Sequence, residues 1–475
     1  MAANKETEMS HSLLISHPPG CKEERNYAFE VMFGQFLGLS HECREIPGDV
    51  VRVQLANAPE AGSLLWPDIF FQKYCNKQFT SALLPSKPLS LWNVARDLAE
   101  AQITKSIIPI IYGKPLESGK WFEHKGNTIR LGLDITGSVF FMLIRFEEIV
   151  VPDRDEHNRF PARASLAYQE GFLERPIVDE YVEILWTCMQ RLWPRLKRKE
   201  RNYQVFLTHD VDHPLGAINK TWPQVMRNIA GDILRRKNLN LAYRRFIAKC
   251  SKMEDLDPYN TFEFIMDMSE RYGLKSIFYF KAGVSNSRFD VYYDLSSPWI
   301  KSLISRIHER GHEIGLHTSY EAYRDFRTIR SEFERLLTVL HSLKITQEKW
   351  GVRQHYLRFE VPTTWQACED VGLDYDATVG FADHVGFRCG TCHEYPLFNL
   401  KTRRILHLRE LPLIIMDMTL LYYMSLQPEQ VIEKIERLSN ICRLYGGTLS
   451  LLWHNTELTQ SWQTRLYMEI LELIR

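Results

Sequence analysis

The segment from Val205 to Pro214 reads VFLTHDVDHP, an apolar run that leads straight into two carboxylates spaced one residue apart. Side chains alternate across a strand, so Asp210 and Asp212 leave on one face and His209 on the other. Carboxylates that converge at the end of a buried strand repel each other and lose hydration. Such pairs persist where a metal ion or a proton transfer uses them. An Asp-rich turn capping a helix has the same local pattern, so other segments have to decide between the two.

Two further apolar strand signals end in histidine. Residues 311 to 320, GHEIGLHTSY, place His317 at the strand exit on the face of Glu313 and Gly315, and residues 447 to 455, GTLSLLWHN, end on His454. A single histidine at a strand end is usually a hydrogen-bonded structural residue. Three strand ends tipped with Asp or His shift the balance, because parallel α/β architectures assemble sites in the loops that leave the carboxyl ends of their strands.

The order THDVD, GHEIGLHTSY, the Arg-led segment RQHYLRF (Arg353 to Phe359) and SLLWHN resembles the NodB-type polysaccharide deacetylases, from about residue 203 to the C-terminus. The resemblance implies an α/β fold, an incomplete (β/α) TIM-like barrel of the NodB type, and a metal-dependent hydrolase that removes N-acetyl groups. It implies that Asp210 is the catalytic base and Asp212 a metal ligand, with Val211 between them where many members have adjacent aspartates. His317 matches the first ligand of the His-(Ser/Thr)-x-x-His motif, and Glu321 stands at the second ligand position. Arg353 matches the arginine that orients the base, although the Pro-aromatic-Gly that normally follows is missing, and His454 matches the general acid.

A site of Asp212, His317 and Glu321 can hold a divalent ion, Zn2+ by family resemblance, but it is harder and more anionic than Asp plus two His. His213, one residue past Asp212 and just before Pro214, is the alternative third ligand. The implied substrate is a carbohydrate, an N-acetylated amino-sugar of polysaccharide or glycolipid biosynthesis, free or lipid-linked. Two alternatives stay open: a catalytically silent homologue that binds glycan, and an amidohydrolase acting on a non-sugar amide. The CGTCH segment at 389 to 393 matches a haem-attachment pattern or a second metal or redox pair. Asp383, His384 and Arg388 lie in a loop that either meets substrate hydroxyls or is simply solvated.

Composition sets the frame around this core. A chain of 475 residues suggests about two domains. Lys plus Arg and Asp plus Glu balance at 59 each, so no nucleic-acid partner is expected. Nine scattered cysteines read as free thiols in a reducing cytoplasm. The N-terminal MAANKETEMSHSLLISHPPG has too short an apolar run for a signal peptide, so a cytoplasmic location is expected.

Along the chain, residues 1–25 read as flexible and 26–200 as a smaller α/β or α+β domain, with VVRVQLA, SLLWPDIFF and TIRLGLDITGSVFFMLIRFEEIV as its strand and helix signals. It is similar to the accessory domain of unknown function that precedes intracellular members of the family, and KRKERN at 197–202 reads as the linker to the deacetylase-like domain, 201–475. A basic helical insertion at 215–255 carries nine Lys or Arg between Lys220 and Lys252 against one acid, Asp232, with Trp222, Met226, Ile229 and Ile233 at helical spacing. It reads either as a solvated face or as a peripheral membrane contact.

Overall fold

The computed structural model describes residues 12–75 and 79–475. The chain divides into two units. The first runs to Asp153 and adds Arg163–Asn202 and Cys389–Ile405, and the second comprises Arg154–Ala162, Tyr203–Arg388 and Leu406–Arg475.

The first unit is α+β. Its six-stranded sheet runs His41–Glu45, Leu13–His17, Val50–Leu55, Ser63–Pro67, Thr128–Leu131, Phe122–Lys125. Leu13 and Ile15 are fully buried on the strand Leu13–His17, paired on both sides. That corrects the expected flexible stretch over 1–25: residues 1–11 lie outside the described residues, and the rest of it is a strand and the start of the helix Lys22–Phe29. The helix Ile135–Leu143 begins where the Asp134 carboxylate accepts from Gly137 N at 2.8 Å, satisfying a backbone donor that the first turn leaves open. The helix Ile177–Leu192 follows, and its acidic first turn, Asp179 and Glu180, suits a helix N-terminus. Cys21 and Cys75 form a disulfide, an exception to the expected thiols; the other seven cysteines are in no disulfide.

The second unit is built on a parallel sheet. In chain order its strands are Gln204–Val211, Ser276–Lys281, Glu313–His317, Gly351–Arg353, Tyr375–Asp376, Arg404–Glu410, Ile415–Met416 and Thr448–Leu452. Across the sheet they lie sixth, fifth, fourth, third, second, first, eighth, seventh, so the last strand pairs with the first. Parallel neighbours need crossover connections, and helices such as Phe262–Arg271, Pro298–Glu309 and Phe326–Ser342 supply them. Phe326–Ser342 shows why: Ile329, Phe333, Leu336 and Leu340 recur at helical spacing and are buried.

The register determines what these strands present at their carboxyl ends. Lys281 pairs with His317, and His317 with Arg353, so three strand-terminal residues form one row. The residues two positions earlier, Tyr279, Gly315 and Gly351, share that row's face and lie beneath it. A side chain at Gly315 would meet the Tyr279 ring at 2.4 Å, and one at Gly351 the Tyr375 ring at 2.1 Å. Glycine at both positions lets two buried tyrosines fill the layer that supports the row above.

Candidate active site

Asp210 pairs in register with Tyr279, so it points to the same face as the Lys281, His317 and Arg353 row, and Asp212 follows two residues later on that face. His209 faces away, bonded to the Trp453 carbonyl at 2.7 Å and to Ser276 Oγ at 3.1 Å, a structural histidine whose pKa burial lowers to about 3. The strand Thr448–Leu452 pairs Leu452 with Thr208, which brings His454 to the same end of the sheet. Asp210, Asp212, His317 and His454 therefore line one cavity of about 360 Å³, together with His213, Lys281 and His355 and the aromatic rings of Tyr259, Phe289, Tyr356 and Tyr423.

Three donor atoms converge on one point. Asp212 Oδ1 lies 3.2 Å from His317 Nε2 and 3.1 Å from His355 Nε2. These separations match the edge of a tetrahedron around an ion with ligand distances of ~2 Å. Each histidine has its other ring nitrogen occupied. His317 Nδ1 donates to the Arg353 carbonyl at 2.9 Å, and His355 Nδ1 donates to Asp290 Oδ1 at 2.7 Å. A neutral ring with Nδ1 protonated carries its lone pair on Nε2. Asp212 Oδ1 and His317 Nε2 are both buried and neither makes a well-aligned hydrogen bond, so two acceptors stand face to face with only the Lys281 ammonium beside the carboxylate. A cation between them removes that penalty, so this donor set fits a divalent metal.

Lys281 already brings one positive charge to the site. Its buried Nζ stands 3.1 Å from Asp212 Oδ1 and 3.3 Å from His355 Nε2. Burial would raise the Asp212 pKa, but Lys281 first and His355 next hold the carboxyl well below its usual range. His355 is the converse: burial opposes its charge, yet Asp212 and Asp290 raise its pKa. An incoming ion competes with the ammonium for the same oxygen.

Around this cluster sit two more pairs. Arg353 Nη1 is 3.5 Å from Asp210 Oδ1, and the guanidinium is fixed by bonds to the Ala377 carbonyl and Thr208 Oγ1, both at 3.0 Å. His454 Nδ1 meets Asp417 Oδ1 at 2.7 Å, while Nε2 faces Asp212 Oδ2 at 3.7 Å. Burial disfavours the imidazolium, but the Asp417 carboxylate outweighs it and pushes the His454 pKa up to about 10.

Residues 13–194 match a family of unknown function, DUF7033. No curated protein matches the chain. Among solved structures the chain is similar to a protein described as a polysaccharide deacetylase from Mycobacterium smegmatis, at 17% identity over 58% of this chain and 84% of that one, TM-score 0.38. It is also similar to the Puue allantoinase, at 12% identity over 57% and 84%, TM-score 0.37. A third is a protein described as a polysaccharide deacetylase from Pseudomonas aeruginosa PAO1, at 12% identity over 65% and 90%, TM-score 0.38.

Glu321 does not join the cluster. Its Oε2 accepts from Arg358 Nη1 at 2.8 Å, its Oε1 from Asn286 Nδ2 at 3.4 Å, and its side chain is half exposed. The chain turns into a short 3-10 segment, Ala322–Arg324, directly after Glu321 and carries its carboxylate outward. His213 lines the cavity, and burial lowers its pKa to about 4, but it is not among the three converging donors. The third donor is His355, which sequence reasoning missed. A signal existed, because Arg353 and His355 are two apart at a strand exit, the same spacing as Asp210 and Asp212. Lys281, Asp290 and Asp417 were missed as well; Lys281 and Asp417 also stand at strand exits.

Asp383 and His384 stay together, 3.5 Å apart, and Arg388 is buried with Nη1 donating to the Gly380 carbonyl at 2.7 Å. The CGTCH segment lies in the first unit. There the Asp179 carboxylate accepts from Thr391 Oγ1 at 2.6 Å, Cys392 N at 2.9 Å and Cys392 Sγ at 3.2 Å, and both Cys389 and Cys392 are buried.

Proposed function

We propose that the second unit is a NodB-like metal-dependent amide hydrolase on an incomplete (β/α) barrel, a reading that its sheet of parallel strands joined by helices supports. The observation that carries this reading is the pair of facing acceptors, Asp212 Oδ1 and His317 Nε2, with His355 Nε2 completing the donor set. A divalent ion held there, Zn2+ by the chemistry of one carboxylate and two imidazoles, supplies Lewis acidity toward an amide carbonyl and lowers the pKa of water.

The rest of the chemistry falls to the chain. Asp210, oriented by Arg353, takes the proton from the attacking water as the new C–O bond forms. His454, cationic because of Asp417, gives its proton to the departing nitrogen as the C–N bond breaks, so acetate and a free amine leave. Base and acid thus stand within one cavity, Asp210 beside Arg353 and His454 beside Asp417.

The substrate in this reading is an N-acetylated amino-sugar. The cavity is of a size for a small glycan unit, and Phe289, Tyr356 and Tyr423 line it with aromatic surface that suits sugar C–H groups. Incubation of zinc-reconstituted protein with N-acetylated amino-sugar oligomers should release acetate, and the same protein should leave small linear and cyclic amides intact. Turnover of the small amides alone would move the activity to a non-sugar amide.

The Lys281 ammonium favours a second reading, a glycan-binding homologue in which lysine takes the place of the ion. Competition for divalent metal between the protein and a chromophoric chelator separates the two.

A further inference from the structure

The basic insertion folds as a helical hairpin, Trp222–Leu234 and Leu239–Ser251, with an inner and an outer face. The inner face packs Val225, Ile229 and Ala242 together. Asp232, the single acid between Lys220 and Lys252, is fully buried there, bonded to Arg236 at 2.6 Å and Arg245 at 2.8 Å. The outer face therefore shows no negative charge from this stretch.

What it shows is a second apolar stripe on each helix. Trp222, Met226, Ile233 and Leu234 are exposed on one, and Leu239, Tyr243 and Phe246 on the other, all at helical spacing. The Trp222 and Phe246 rings lie 6.2 Å apart, which joins the two stripes on one side of the hairpin, and Lys249 Nζ sits 5.9 Å over the Trp222 ring. At the tip, Leu234 and Leu239 are 75% and 70% exposed and bracket Arg235, Arg236 and Lys237.

We propose that this hairpin is a peripheral docking surface for an anionic lipid bilayer. Exposed leucines and aromatic rings interleaved with cations match the interface of such a bilayer: the apolar groups enter the acyl boundary and Lys and Arg meet headgroup phosphates. Charge complementarity selects this occupant, since the face offers cations and apolar groups and no acid for a basic partner. The inference stands on the hairpin alone and not on the reading of the active site.

Co-sedimentation of the full chain with vesicles tests it, using phosphatidylcholine alone against phosphatidylcholine mixed with phosphatidylserine. Binding to the anionic vesicles should exceed binding to the neutral ones by about tenfold or more and fall with added salt. A Leu234→Ser/Leu239→Ser variant and an Arg235→Glu/Lys237→Glu variant should each lose it, with unchanged circular dichroism and unchanged thermal unfolding. Equal partitioning between the two lipids overturns the proposal. So does loss of binding in the charge variant alone, which describes adsorption without insertion. Vesicle binding is read without turnover, so its failure leaves the hydrolase reading intact.

Discussion

Asp210→Asn and His454→Ala each lower turnover by about a hundredfold or more, close to 3 kcal/mol of transition-state stabilisation apiece. Asp210 lies on the cavity wall within reach of Arg353. Asparagine keeps its shape and removes the proton acceptor. His454 is held by Asp417 with Nε2 turned to the cavity, and alanine removes the donor. The Asp417 contact also predicts a pH signature. The working form of His454 is protonated, so it is present below its pKa of about 10 and lost as pH rises through it. Asp417→Asn removes the main counter-charge, lowers that pKa and moves the alkaline limb of the rate profile to lower pH. Steady-state rates across pH for the three variants and the wild type check this, and a wild-type rate in either Asp210→Asn or His454→Ala would rule out the assignment.

Metal affinity should order the residues around Asp212. His355→Ala removes one of three converging donors and should weaken divalent binding by about a hundredfold or more, whereas Glu321→Gln should leave it unchanged, because that carboxylate is engaged with Arg358. Lys281→Met should strengthen binding by about tenfold or more, since a unit charge 3.1 Å from Asp212 Oδ1 opposes a second cation at the same oxygen. Competition against a chromophoric chelator measures all three. Weaker binding in Glu321→Gln with no change in His355→Ala would return the third ligand to the position expected from sequence. No binding in any of the proteins, Lys281→Met included, would support the second reading.

The sequence carried the site as far as strand alternation reaches. Asp210, Asp212, His317 and His454 sit at the ends of apolar runs, and period two alone puts the two aspartates on one face. The third donor was sought four residues after His317, inside one segment, whereas the structure completes the set from a neighbouring strand. His355, Lys281 and Asp417 come from three separate strand exits, and only the register, with Lys281 beside His317 and His317 beside Arg353, brings the first two together. Unit membership is of the same kind. Arg154–Ala162 belongs to the second unit and Cys389–Ile405 to the first, exchanges that contiguous reading from either end does not reveal. The strand Leu13–His17 was hidden because five residues beside a Pro-Pro-Gly break look like a tail until their two partners are known.

Acetate release measured against bound metal in the wild-type protein tests the central claim most directly. Chelated protein should be inactive, and activity should rise linearly with added zinc and level off at about one ion per chain, as a single three-donor site requires. Full activity in rigorously metal-free protein would contradict the account.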